Sequence, residues 1–175
     1  MPHRRRTPCA LSPVFESMEA RLLLDGTPLV TEFMAINGST LTDSNGVYSD
    51  WIEIYNPTEE AVSLNGWRLT DDPGWLTQWT FPDVSLGAGE YLIVFASGTA
   101  DPPVAGQELH TNFVLDGSNG EYLALVKPTP SPTAADVVTE YTFPPQVEDV
   151  SFGLTTDYDV TTILPAGAGA ATLIP

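Results

Sequence analysis

The chain has 175 residues, 42% of them hydrophobic and 17% charged, with six Lys+Arg against 23 Asp+Glu. That length suits one ordinary domain with tails, and the apolar fraction argues against a disordered chain, which combines low hydrophobicity with high net charge. Glu16 and Glu19 are the acidic residues ahead of Leu22; the other 21 face Arg68 and Lys127 alone, and a body at −19 repels phosphate backbones, which argues against nucleic-acid binding.

Residues 1–27 differ from the rest of the chain. Arg4-Arg5-Arg6 precede Pro8 and Pro13, and the apolar centre of about 7–15 residues that a standard signal peptide requires is interrupted by Pro13, Glu16, Glu19 and Arg21. The single Cys9 lies in this tail, so no intrachain disulfide can form. No apolar run approaches the ~20 residues that span a bilayer, so no transmembrane segment is expected. Met18-Glu19-Ala20-Arg21-Leu22-Leu23-Leu24 resembles the Leu-Glu-Pro-Arg-x-Leu-Leu motif of exported proteins from planctomycete-like bacteria, with Met18 and Ala20 in place of the first Leu and the Pro. That resemblance implies an export or sorting segment, a disordered or short-helical tail, and a location outside a bacterium or on its surface. A functionless N-terminus is the alternative reading.

From Leu29 the pattern becomes that of strands. Leu29–Ile36 is β-rich and ends at the turn pair Asn37-Gly38. Asp50–Tyr55 alternates, with Ile52 and Ile54 on one face and Glu53 on the other, and Asn56-Pro57 stops it because proline cannot donate to a ladder. Further strands are predicted at Ala61–Leu64, Trp67–Thr70, Gln78–Phe81, Glu90–Ala96, His110–Leu115, Glu121–Val126 and Val137–Tyr141, with Asn65-Gly66, Asp72-Pro73-Gly74 and Asn119-Gly120 as turns between them. Short strands at such spacing predict an all-β antiparallel sandwich. Trp67 and Leu69 point the same way after a turn, which makes Trp67 a filler between the two sheets. The Ala/Gly-rich stretch after Pro165 reads as a linker. The expected organisation is therefore a tail at 1–27, a sandwich at 28–153 and a C-terminal extension or linker at 154–175.

Asp50-Trp51-Ile52-Glu53-Ile54-Tyr55-Asn56-Pro57, then Val62-x-Leu64-x-Gly66-Trp67-x-Leu69-x-Asp71, resemble a lamin-tail domain in order and spacing. So do Trp79-Thr80-Phe81-Pro82, Leu86-x-Ala88-Gly89-Glu90-Tyr91-Leu92 and Gly120–Leu125. The resemblance covers Leu29 to about Val126 and, less clearly, runs to Gly153. It implies an immunoglobulin-like sandwich, common in secreted bacterial proteins beside hydrolase and other sandwich modules, and it supplies no catalytic residues.

The residues themselves offer little catalytic chemistry. Only His3 and His110 exist, one of them in the tail, so a nucleophile–base pair and a His/Cys zinc site lack their members. His110 opens the predicted 110–115 strand and reads as structural. Glu53, Asp71 and Asp72 offer paired carboxylates for glycoside chemistry, and equally read as solvated strand faces and turn formers. Within Asp43-Ser44-Asn45-Gly46-Val47-Tyr48-Ser49-Asp50, the oxygens of Asp43, Asn45 and Asp50 surround a Gly turn in the hard-donor pattern that calcium prefers. The closing bidentate Glu of an EF-hand is absent, and an Asx turn feeding the next strand is the weightier alternative. Trp75, in Asp71-Asp72-Pro73-Gly74-Trp75, is placed to stack on a sugar or anchor a partner; burial as a loop plug is again the weightier alternative.

These features describe a non-catalytic interaction or spacer domain of a secreted or cell-surface protein, part of a longer multidomain chain, whose partner is a protein or an extracellular polymer. No cofactor is expected beyond weak Ca²⁺. The alternatives are a calcium- or carbohydrate-binding module using Asp43, Asn45, Asp50 and Trp75, or an accessory domain to a downstream enzyme.

Overall fold

The computed structural model describes residues 27–154 and the strand at 160–164; the tail expected at 1–27 and the linker expected after Pro165 lie outside the described residues, Thr27 excepted. Twelve strands follow in chain order: β1 (Leu29–Met34), β2 (Asp50–Tyr55), β3 (Val62–Ser63), β4 (Arg68–Thr70), β5 (Trp79–Thr80), β6 (Ser85–Leu86), β7 (Tyr91–Ala96), β8 (Leu109–His110), β9 (Glu121–Val126), β10 (Val137–Phe143), β11 (Ser151–Leu154) and β12 (Val160–Leu164). The helical content among the described residues is one 3₁₀ turn, Ala134–Asp136, between β9 and β10.

A six-stranded sheet in the order β12-β11-β1-β2-β7-β8 faces a four-stranded sheet β10-β9-β4-β5, and β3 and β6 form a small third ribbon. Among the described residues every pairing is antiparallel except that of β7 with the two-residue edge strand β8, so the all-β antiparallel sandwich expected from the sequence is the one that forms. The core lies between the sheets. Val30, Phe33, Ile52, Ile54 and Val94 of the first meet Leu69, Trp79, Leu123, Leu125, Tyr141 and Phe143 of the second. Phe33 sits at the centre, its ring 4.7 Å from that of Phe143 and 5.3 Å from that of Tyr141. Trp67 belongs to this cluster, as its position after the Asn65-Gly66 turn predicts.

The pairing of β1 with β2 shifts register between Val30 and Glu32, and the Val30 carbonyl accepts the Tyr141 hydroxyl at 2.7 Å from across the sandwich. A buried carbonyl beside an irregular ladder needs a partner, and a phenol from the opposite sheet supplies it.

Both faces of β2 are covered, which corrects the reading of Glu53 as a solvated strand face. The loop after β1 folds back over the outer face, where Met34, Trp51 and Phe95 form a second buried cluster with Leu41 and Ile93 against it. Glu53 is 3% exposed, stands opposite Glu32 in the ladder, and its Oε1 accepts the Thr31 hydroxyl at 2.6 Å. Strand alternation predicts a wet face only where nothing lies over it.

The segment predicted as a strand at 110–115 is also corrected. Residues 111–115 keep the alternation, burying Thr111, Phe113 and Leu115 and exposing Asn112 and Val114, yet only Leu109 and His110 join the ladder. Beyond them the Thr111 hydroxyl turns back to the Phe113 carbonyl at 2.6 Å. His110 therefore closes a strand rather than opening one, with its ring stacked on Phe95 and Nδ1 3.0 Å from Ser97 Oγ. At the C-terminal side the strands run past residue 153, since β12 pairs with β11 and β11 with β1, carrying Phe152 into the core.

Candidate functional site

The strand directions gather five connections at one end of the sandwich: 35–49 after β1, 71–78 after β4, 97–108 after β7, 111–120 before β9 and 144–150 after β10. They are hydrogen-bonded to one another. Ser44 N–H donates to Glu108 at 2.8 Å, Asn112 Nδ2 to the Gln78 carbonyl at 2.9 Å and Gln146 N–H to the Gly117 carbonyl at 2.7 Å. Gly117 packs against the Ala35 carbonyl, an approach that a Cβ would block.

Asp43 and Asp50 each serve a backbone. Asp43 Oδ1 accepts the N–H groups of Asn45 and Val47, both at 2.9 Å, while Gly46 at φ +76° closes the turn onto the Asp43 carbonyl. Asp50 Oδ1 accepts the Asn37 N–H at 3.2 Å. Asn37 clamps the whole loop, its Nδ2 reaching the carbonyls of Leu41 at 2.6 Å and Ser49 at 2.7 Å. Asp43, Asn45 and Asp50 thus belong to one ordered loop whose two carboxylates hold different backbone donors, the Asx-turn arrangement. Among the described residues no three of His, Cys, Asp and Glu converge closely enough to hold a metal ion.

Trp75 is 52% exposed, which overturns the reading of it as a buried plug. The loop beneath it is ordered: Asp72 Oδ1 accepts the Gly74 N–H at 2.7 Å, Trp75 N–H donates to the Asp72 carbonyl at 2.9 Å, and Gln78 Oε1 accepts the Asp71 N–H at 3.0 Å. Asp71 and Asp72 are turn residues of this loop, as expected. The sequence reading did not single out Val47, Tyr48, Val104, Val114 and Val147, which are 48–60% exposed on the same group of loops. Their sequence signal is weak: Val104 and Val147 follow prolines and turn formers, Val47 and Tyr48 follow Gly46, and Val114 lies between the buried Phe113 and Leu115. Of the exposed large apolar side chains among the described residues, only Tyr91, stacked on Tyr55 with centroids 4.5 Å apart, lies at the other end.

Both ends are acidic, the loop end more so. The five connections hold one, two, two, one and two acidic residues in turn, eight in all, and no Lys or Arg. Arg68 and Lys127 lie at the opposite end, where β4 begins and β9 finishes, and Arg68 Nη1 donates to the Lys127 carbonyl at 3.2 Å. Hydrogen bonds hold several loop carboxylates below their ordinary range: the Val47 amide for Asp43, the Asn119 side chain for Asp116 and the Ser39 side chain for Asp149. Burial raises Asp50, Asp71 and Glu121, and the charges of Asp71 and Asp116 push Glu121 up further.

The family model for the lamin tail domain matches residues 26–143. The chain belongs to the lamin tail domain family. No curated protein matches it. The lamin tail domain is a non-catalytic immunoglobulin-like fold, in keeping with the two packed sheets of this chain. Strands β11 and β12 lie beyond the matched region and extend its larger sheet. Among the described residues no helix is long and apolar enough to cross a membrane.

Proposed function

We propose that this lamin tail domain is an interaction module of a secreted or cell-surface bacterial protein with further domains, and that it contacts its partner through the loop end of the sandwich. The observation that carries the reading is Trp75, half exposed on a loop whose backbone is fixed by Asp72 and Gln78. Interfaces draw much of their energy from a few aromatic anchors held in place before binding. The N-terminal Glu19-Ala20-Arg21-Leu22-Leu23-Leu24 motif supports export, and the acidic body suits a soluble outer domain.

A photo-crosslinking residue in place of Trp75, introduced into the full chain in producing cells, tests the contact, with the same residue in place of Tyr91 as control. Adducts confined to the Trp75 position, recovered from the medium or envelope, are expected. Equal adducts at both positions would remove the loop end from the function. Retention of the chain in the cytoplasm would remove the export reading.

A further inference from the structure

We infer that the loop end docks a basic protein segment in which lysine or arginine residues alternate with apolar side chains; this rests on the loop end being the contact surface. Among the described residues six of the seven exposed large apolar side chains lie on these loops, four valines with Tyr48 and Trp75. Isolated aliphatic contacts suit apolar side chains of a protein better than the flat face of a sugar ring, which asks for aromatic platforms.

The charge selects among protein partners. Eight carboxylates without a compensating Lys or Arg repel a second copy of the same surface, so self-association through this end is disfavoured. A cationic segment relieves that repulsion, most directly around Asp71, Asp116 and Glu121, whose charges already oppose one another. The loop backbones are tied to Asp43, Asp116 and Asp149, so the carboxylates keep fixed positions as the partner arrives. Complementary charge of this kind raises the association rate and loses strength with salt, because exposed charges are screened beyond about 8 Å at physiological ionic strength. Apolar anchors then set the lifetime of the complex.

The test uses the full chain and three synthetic peptides: one alternating Lys and Leu, one of Lys and Gly, and one of Glu and Leu. Fluorescence anisotropy at two salt concentrations should show the Lys–Leu peptide binding tightest and weakening with salt. Trp75→Ser should weaken it about tenfold, the loss expected of a truncated anchor. Removing two charges at the loop end, Asp101→Asn with Glu148→Gln, should weaken it more than removing two at the far end, Glu59→Gln with Glu60→Gln, although net charge changes equally. Unchanged melting temperatures verify that these surface variants fold.

Equal losses from the two charge pairs would reduce the effect to net charge and overturn the proposal. So would equal binding of the Lys–Gly peptide, an unweakened Trp75→Ser variant, or no binding at all. Binding of soluble oligosaccharides that is lost in Trp75→Ser and indifferent to charge would assign the end to a glycan instead. If crosslinks form at the Trp75 position in cells while the peptides fail, the contact surface stands and only the partner chemistry is wrong.

Discussion

Replacing Tyr141 by Phe removes one oxygen from the centre of the sandwich and leaves its ring beside Phe33 and Phe152. The hydroxyl donates at 2.7 Å to the carbonyl of Val30, a residue with no exposed surface. Burial holds this phenol above its ordinary range, so it is a protonated donor at neutral pH. Without it the Val30 carbonyl loses its cross-sandwich partner at the point where the β1–β2 register shifts. A buried polar group left unsatisfied costs about 1–3 kcal/mol. For a domain of roughly 130 residues the entropy of unfolding is about 0.27 kcal/mol/K, so the melting temperature should fall by about 4–11 °C. Urea unfolding should show a lower midpoint at an unchanged slope, because the area exposed on unfolding is the same. Tyr122→Phe provides the control: its hydroxyl reaches Glu140 at 2.8 Å on the surface, and its loss should stay within about 0.5 kcal/mol. A Tyr141→Phe variant as stable as the parent would refute the assignment of this bond as a tie between the sheets.

Trp67→Ala should cost about 3–5 kcal/mol, read as a fall in the denaturation midpoint, because the indole fills the main core. Glu32→Gln should stabilise the domain at neutral pH. Burial raises Glu32 above its ordinary value against a weaker opposing hydrogen bond from Ser151, so its penalty is absent below pH 4.5 and grows as the pH rises through the folded value. The melting-temperature gain should therefore vanish near pH 4 and appear above it. Asp149 sits at φ +59° and accepts the Gly38 and Ser39 N–H groups, so Asp149→Ala should lower the melting temperature while Asp149→Asn recovers part of the loss. Weak calcium binding at Asp43, Asn45 and Asp50 would raise the melting temperature at matched ionic strength, with a dissociation constant of ~10⁻⁴–10⁻³ M; the gain should disappear in Asn45→Ala, and no gain at millimolar calcium leaves the Asx turn alone.

The sandwich was legible because strand and turn chemistry agree: Asp50–Tyr55, Glu121–Val126 and the turns at Asn65-Gly66 and Asn119-Gly120 stand where their residues predict. The β7–β8 edge was not. At 111–115 alternation reports which side chains face the core, and the backbone bonds of Thr111 and Phe113 to Phe95, Gly98 and Thr99 are too irregular to extend the regular strand beyond His110. The covered outer face of β2 was hidden for a related reason: alternation puts Trp51 and Glu53 on a face that looks solvated, and the Leu41 side chain of the 35–49 loop that packs against the Trp51 cluster comes from elsewhere in the chain. The candidate site was half visible. Trp75 and the Asp43 turn carry local signals, whereas the convergence of Val47, Val104, Val114 and Val147 arises from strand directions set far away in the chain.

Both ends of the sandwich are stiffened by side chains bonded to loop backbone, and the carboxylates among them at the loop end bear on function. At the far end Asn56, fully buried, reaches the carbonyls of Glu60, Leu86 and Gly87 with one amide, and the Glu90 and Asp136 carboxylates accept the N–H groups of Gly87 and Thr133. At the loop end the Asn37 amide does this for the 35–49 connection, and three ionised carboxylates, Asp43, Asp116 and Asp149, each bonded to neighbouring N–H groups, add to it. A carboxylate that ties a loop also projects a field, so order and negative charge arrive together. Fixed loops spare a complex the ordering cost of about 0.5–1.5 kcal/mol for each side chain that binding would otherwise immobilise. Such a surface should bind with little rearrangement, and acid should weaken it twice over: protonation below the depressed range of these aspartates removes the attraction and loosens the loops together.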